Sequence, residues 1–262
     1  MTEPTLTLSP FDYSPRRSLT AKIQRRLTQS YTCAPVGPAA QSMITFSFDD
    51  FPKSAADTGA EIMGAIGASA IYYACSGLAR TVTPTGEQYD EGDIIRLAEA
   101  GHEIGAHTHT HLDCAAASLD RVLDDIETNL KRLKAMGLKQ AVNHFAYPYG
   151  ETTVALKKKL MAKFHTCRGI LPGYNSASSD RMQLRSMELK PDSMTTDRAL
   201  FAIETALRQP TWLHIFTHDV KRSPSEYGTT PAALTRITRM ARDSLIPIVT
   251  PSEAMVLLKG GK

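Results

Sequence analysis

The sequence predicts an α/β protein built on a parallel sheet, as a barrel rather than an open doubly wound sheet, and three observations carry that expectation. Seven short apolar or β-branched runs alternate with helical patterns from Met43 onward. Strands alternating with helices form right-handed βαβ units, and seven or eight of these fit in about 220 residues. Each polar cluster with chemical potential sits at the C-terminal end of a strand candidate, the face on which parallel barrels build their sites, and this favours the barrel.

The strand candidates are Ile44–Phe48, Ala70–Ala74, Glu103–His107, His144–Tyr147, Thr166–Ile170, Leu213–Thr217 and Pro247–Val249, several bounded by Gly or Pro. Helical patterns fill the gaps at Ala56–Ile66, Asp93–Ala100, Leu119–Met136, Thr152–Lys163, Thr196–Arg208 and Ala232–Arg242. In Leu119–Met136 the set Val122, Ile126, Leu130 and Leu133 recurs at the helical period, and Gly137 stands just past its end. Residues 1–41, rich in Ser, Thr, Pro and Arg, read as an arm lying against or beside the domain, with a short basic helix at Leu19–Leu27. Residues 42–262 contain no linker, repeat or low-complexity tract and read as one domain.

A chain of 262 residues with 42% hydrophobic and 22% charged content can build its core without disulfides or a structural metal, so stability does not account for its metal-ligating side chains. The charge of +3 arises in residues 1–30, where Arg16, Arg17, Lys22, Arg25 and Arg26 face only Glu3 and Asp12. The remaining 25 basic and 25 acidic residues cancel, which argues against nucleic acid as a partner. No window approaches the roughly 18 unbroken apolar residues of a membrane helix, and no membrane partner is expected. Cys33, Cys75, Cys114 and Cys167 lie far apart and read as unpaired structural thiols. With no signal-peptide pattern in the first 30 residues, the expected location is the cytoplasm. Oligomeric state is left open.

Four clusters carry the chemistry. Thr45–Asp50 is an apolar strand ending in adjacent carboxylates, Asp49 and Asp50, which repel unless a cation sits beside them. Alternatively, Asp50 caps a helix and Asp49 is solvated. Gly101–His111 carries His107 and His111 four apart, able to turn toward one ion from a helical turn or a bent strand end, with Asp50 as an oxygen ligand. Two imidazoles and one carboxylate leave positions open, as catalytic metal sites do. His109 points the other way by alternation. Phe145–Gly150 holds Pro148 and Gly150 in a turn that can aim a backbone N–H at an oxyanion, although an ordinary strand-to-loop turn looks the same. Trp212–Val220 brings His218 to a strand tip, as a general acid or as a structural His held by Asp219.

In that order, S-F-D-D, G-H-E-I-G-A-H-T-H-T-H, F-A-Y-P-Y-G and I-F-T-H-D resemble the motifs of the NodB-homology polysaccharide deacetylases, carbohydrate esterase family four, across residues 44 to 220. The resemblance implies a distorted (β/α) barrel of seven or eight strands. It also implies removal of N-acetyl groups from an N-acetylated sugar or polysaccharide by a metal-bound water. Asp50, His107 and His111 would bind the divalent ion, zinc first with cobalt or nickel as substitutes. Asp49 would be the general base, the Tyr149 N–H would hold the oxyanion, and His218 would be the general acid.

The sequence departs from the family pattern in three places. Phe51 replaces the usual Gly after the paired acids, a change expected at the floor or rim of the site. Ala146 stands where many members have the Arg that pairs with the base, and Arg168, at the end of the next strand candidate, is expected to supply that charge. The fourth-motif Asp has no clear counterpart, with Asp180 nearest and Glu188 behind it. Two other activities use the same residues: cleavage of a non-sugar amide or O-acetyl ester, and carbohydrate binding by a barrel that has lost turnover.

Overall fold

The computed structural model describes residues 13–260, so the first twelve residues of the expected arm lie outside the described part. Seven parallel strands, β1 (Met43–Asp49), β2 (Ile71–Ala74), β5 (Glu103–Ala106), β6 (His144–Ala146), β7 (Thr166–Arg168), β8 (Met187–Glu188) and β9 (Trp212–Thr217), form one sheet in the order β7-β6-β5-β2-β1-β9-β8. The sheet curls into the expected distorted barrel. A small antiparallel hairpin, β3 (Val82–Thr83) and β4 (Gly86–Glu87), stands outside it. The helices are α1 (Leu19–Ser30), α2 (Ala60–Gly64), α3 (Glu91–Glu99), α4 (Leu119–Ala135), α5 (Val154–Leu160), α6 (Ser193–Ala206), α7 (Pro231–Asp243) and α8 (Pro251–Gly260). Ser18, Asp90, Ser118, Thr153, Asp192 and Thr230 cap the N-termini of α1, α3, α4, α5, α6 and α7 by accepting a backbone N–H. No helix among the described residues is long and apolar enough to cross a membrane.

Six of the seven strand candidates form. Pro247–Val249 does not: it contributes only a parallel bridge, Ile248 to Ile44, at the foot of β1. The seventh strand is instead β8, two residues beside β9, too short to show a period. The helix expected at Ala56–Ile66 begins as a π-helical turn over Ala55–Gly59 and becomes α-helical only in α2. On α4 the buried row is Val122, Ile126, Asn129 and Leu133, with Leu130 only partly covered. Asn129 belongs there because its amide donates to Ala74 O at 3.0 Å and accepts from Ser76 N at 2.9 Å, closing the C-terminal end of β2.

Strand alternation divides the side chains. Ile44, Phe46, Phe48, Tyr72, Ile104, Leu213 and Ile215 join the core beneath the helices. Ser47, Asp49, Tyr73, Arg168, His214 and Phe216 turn to the barrel interior, where Arg168 lies 5.3 Å from the Tyr73 ring and 4.6 Å from that of Phe216. Gly105 makes room for Tyr73, since a Cβ there would lie 2.4 Å from the ring.

The described part of the arm lies against the barrel. Lys157 on α5 is fully buried and donates to Thr28 O at 2.8 Å and Tyr31 O at 2.6 Å, with its charge met by Asp180 at 2.8 Å. Asp180 in turn accepts the Ala34 N–H at 3.0 Å. Arg25 on α1 pairs with Glu151 at 2.7 Å. Removing Lys157 leaves the Asp180 carboxylate buried without its cation, so Lys157→Ala is expected to lower unfolding free energy by about 3 kcal/mol or more in urea titration. A loss below about 1 kcal/mol would show that the pair is not the latch described.

Three buried histidines outside the metal-ligand candidates set a pH dependence. Burial lowers the imidazoles of His102, His144 and His214 from the usual 6.5, His144 to about 3. Neither ring nitrogen of His214 has a hydrogen-bond partner among the described residues, which agrees with a neutral ring. The unfolded chain takes up these protons as pH falls through about 6.5, whereas the folded chain resists until far lower, so stability decreases with acidification. Glu103, whose carboxyl burial raises, works in the opposite sense, but one group opposes three. The urea midpoint is therefore expected to be lower at pH 5 than at pH 7.5, and equal midpoints would contradict the neutral assignment.

Candidate metal centre and acid–base site

The site is built where β1, β5, β6, β7 and β9 end. Asp49 is the last residue of β1, and its side chain points into the barrel. Alternation alone would send Asp50 to the opposite face. Asp50 instead has φ 38°, and this left-handed kink turns its carboxylate over the mouth of the barrel. Thr108 (φ 61°), His111 (φ 54°) and Tyr149 (φ 58°) share the left-handed region, so strained backbone gathers around one cleft. Asp125 on α4 supports the His107–His111 turn by accepting from His109 N at 2.6 Å and Thr110 N at 3.1 Å, while Thr108 Oγ1 accepts from Leu112 N at 3.1 Å. That turn is irregular, not helical.

Asp50, His107 and His111 are buried and offer ligand atoms within 4.8 Å of one another. His107 Nδ1–H donates to Ala146 O at 2.7 Å, which leaves the Nε2 lone pair facing Asp50 Oδ1 at 3.9 Å. Asp50 Oδ1 has no hydrogen-bond partner among the described residues. Two buried acceptors thus face each other, and a cation between them would satisfy both. His111 Nε2 lies 2.8 Å from Asp50 Oδ2. Burial pushes the Asp50 carboxyl up, but the His111 and His107 imidazoles outweigh it and hold the group at about 2. Burial lowers the His107 imidazole to about 4. At neutral pH the carboxylate is charged and the imidazole neutral, the forms in which each can bind a divalent metal.

The other acid is neutralised differently. Asp49 Oδ2 pairs with the fully buried Arg168 guanidinium of β7, and Asp49 Oδ1 has no hydrogen-bond partner among the described residues. Arg168 thus places a cation on the acid to which Ala146 has no charge to offer. His218 follows β9 and donates from Nδ1 to Tyr227 O at 3.1 Å, which leaves Nε2 available. Asp219 does not hold it. The Asp219 carboxylate is buried and accepts from Ser225 N at 2.9 Å and Ser225 Oγ at 2.5 Å, folding the loop that presents the Tyr227 carbonyl. The Tyr149 ring meets His111 edge-on at 4.5 Å. Asp49, Asp50, His107, His111, Tyr149 and His218 all line a cleft of about 300 Å³.

Two sequence expectations change. Phe51 does not reach the floor or rim: it is fully buried and stacks on Tyr89 at 4.3 Å. Asp180 is not a partner for His218, because its carboxylate serves Lys157, Ala34 N and Met182 N. Glu188 does line the cleft, beside Lys190 at 3.5 Å. His109, set aside in the sequence, donates to or accepts from Ser76 Oγ at 2.9 Å, outside the ligand group. Tyr13, Phe216 and Tyr227 also line the cleft and were not anticipated. Phe216 had a usable signal, lying two residues before His218 on the same strand face. Tyr13 and Tyr227 had none, because an arm and a loop carry no period.

Residues 37–165 match the family model described as Polysaccharide deacetylase. Among solved structures, the peptidoglycan deacetylase PdaC from Bacillus subtilis is similar at 16% identity, covering 85% of this chain and 94% of that one, with a TM-score of 0.55. A family 4 acetyl xylan esterase from Clostridium thermocellum, in complex with a cobalt ion, is similar at 19% identity over 82% of this chain and 91% of that one, TM-score 0.59. A pseudoenzyme of the same esterase family from Bacillus anthracis is similar at 14% identity over 84% and 67% of the two chains, TM-score 0.55. No curated protein matches the chain in sequence. With the family match and the shared fold in agreement, the chain carries a NodB-homology polysaccharide deacetylase domain.

Proposed function

We propose that this chain removes acetyl groups from an N-acetylated sugar or polysaccharide and holds a divalent cation, zinc from the donor set, on Asp50, His107 and His111. The observation that carries the reading is the pairing of those three converging ligands with an adjacent carboxylate, Asp49, whose Oδ1 has no hydrogen-bond partner among the described residues. Two imidazoles and a carboxylate suit zinc and leave coordination positions open, and cobalt or nickel would fit the same donors. When bound, the cation supplies Lewis acidity at the acetyl carbonyl and lowers the pKa of water.

The chain's own groups do the rest. Arg168 holds Asp49 Oδ2, so Oδ1 takes the proton of the attacking water. The left-handed turn at Tyr149 presents its N–H to the oxygen that gains charge as the carbonyl becomes tetrahedral. His218, fixed at Nδ1 by the Tyr227 carbonyl, delivers a proton from Nε2 to the leaving amine. Acetate and the free amino sugar then separate. Arg168 acts through Asp49 as a positioning residue, its plane held between Tyr73 and Phe216.

Metal content measured together with acetate release tests the whole reading. N-acetylated oligosaccharides are expected to release acetate in a metal-dependent manner. Release only from O-acetylated sugars would replace the amide with an ester, and bound metal without release from any donor would leave a glycan-binding barrel. Asp49→Asn should keep its metal and lose about 10²- to 10⁴-fold in kcat, whereas Asp50→Ala or His107→Ala should lose the metal itself. Near-normal turnover by the Asp49 variant would remove it as the base. His218→Ala should slow amide substrates at least roughly tenfold more than activated esters, whose leaving groups need less protonation. Equal losses on both would assign His218 a positional role.

A further inference from the structure

Among the aromatic residues of the cleft that the proposed chemistry does not use, one comes from the most distant part of the described chain. Tyr13 lies in the arm, before α1, yet its ring stacks on Tyr149 with centroids 3.8 Å apart and planes 9° from parallel. Tyr149 meets His111 edge-on, so a continuous aromatic wall runs from a candidate metal ligand out to the arm. Near-parallel stacking at this distance covers most of one ring face. That face of Tyr149 is closed to a sugar ring.

The arm is held in this place at several points. Arg16 donates to Ala115 O at 2.5 Å, and Arg25 pairs with Glu151, which directly follows the Tyr149–Gly150 turn. Further along, Lys157 holds the carbonyls of Thr28 and Tyr31. The wall is therefore anchored to the same turn that carries Tyr149, and to α5 behind it. The cleft measures about 300 Å³, at the lower end of ligand clefts, which span roughly 300 to 1,000 Å³. An internal unit of a polysaccharide needs a groove that lets the chain leave on both sides of the reacting ring.

We infer that Tyr13 closes one side of the cleft and so determines specificity, restricting the site to an acetylated sugar that stands alone or at the end of a glycan. This rests on the sugar-deacetylase reading above and goes beyond it by naming the chain position that is accepted. Tyr13 is not a catalytic residue; it limits where the neighbouring units of the substrate can lie.

The test uses the full chain loaded with zinc and N-acetylglucosamine oligomers of one to six units, with mass spectrometry to locate the deacetylated unit. Wild type is expected to act at a terminal unit, with kcat/KM that does not rise beyond the dimer. Tyr13→Ala should raise the hexamer-to-dimer ratio of kcat/KM roughly tenfold and admit internal units, while Tyr13→Phe, which keeps the stack, should retain the wild-type profile. Isothermal titration of dimer and hexamer against the same proteins reads the same ratio as binding, independent of turnover. Deacetylation of internal units by wild type, or an unchanged chain-length profile in Tyr13→Ala by both readouts, overturns the inference alone. Binding with the expected length ratios but no acetate release overturns the deacetylase reading and keeps the wall, and an absence of both binding and release overturns the two together.

Discussion

Two carboxylates side by side at a buried strand end form an arrangement that water would ordinarily have to rescue, and here each has its own protein partner. The guanidinium of Arg168 meets Asp49 from inside the barrel, and the imidazoles of His107 and His111 meet Asp50 from above. Desolvating an ion costs several kcal/mol, recovered only when the partner geometry is good and the remaining polar atoms find work. Arg168 meets the first condition by lying between two rings that fix its plane. The second is met in part: Asp49 Oδ1 and Asp50 Oδ1 stay without hydrogen bonds among the described residues. The left-handed backbone at Asp50 keeps the two groups apart, directing one inward and the other over the mouth.

Much of this was legible in the order of residues because period and chemistry coincide there. An apolar run that ends in acids or in His marks a strand whose tip reaches the site, so β1, β5, β6 and β9 and their polar ends were found together. Pro247–Val249 misled because its composition matches a strand, while pairing depends on room beside β1 that composition does not report. The two-residue β8 is too brief for alternation to register. Phe51 was assigned to the rim because it replaces a glycine beside the acids, yet Tyr72 and Tyr89 offered it a better-packed interior position. The irregular turn between His107 and His111 was open in the sequence, because a spacing of four suits a helix and a bent loop equally, and only the left-handed Thr108 and His111 decide between them.

The arm marks the boundary of sequence reasoning. Its polar composition left open whether it packs against the domain, and its hold on the barrel comes from Lys157, a lysine in a helix whose neighbours Lys158 and Lys159 look the same in the sequence. Only burial separates the one that ties α1 to the core from two that face solvent or, as Lys158 does, lie over the Tyr31 ring. Charge counting placed basic residues in this segment correctly and gave them no task; contact with Glu151 and Ala115 supplies one.

Gly105 shows how far from the reacting atoms such a site can be decided. It sits on β5, carries no functional group, and faces the Tyr73 ring at a distance that excludes even a methyl. Were that strand to carry an alanine, the phenol would have to shift, and with it one of the two surfaces that hold the guanidinium in place. The acid beside it would then lose the alignment of its counter-charge although every polar residue remained in the chain. The space left by a single hydrogen thus bears on the counter-charge of a carboxylate two strands away.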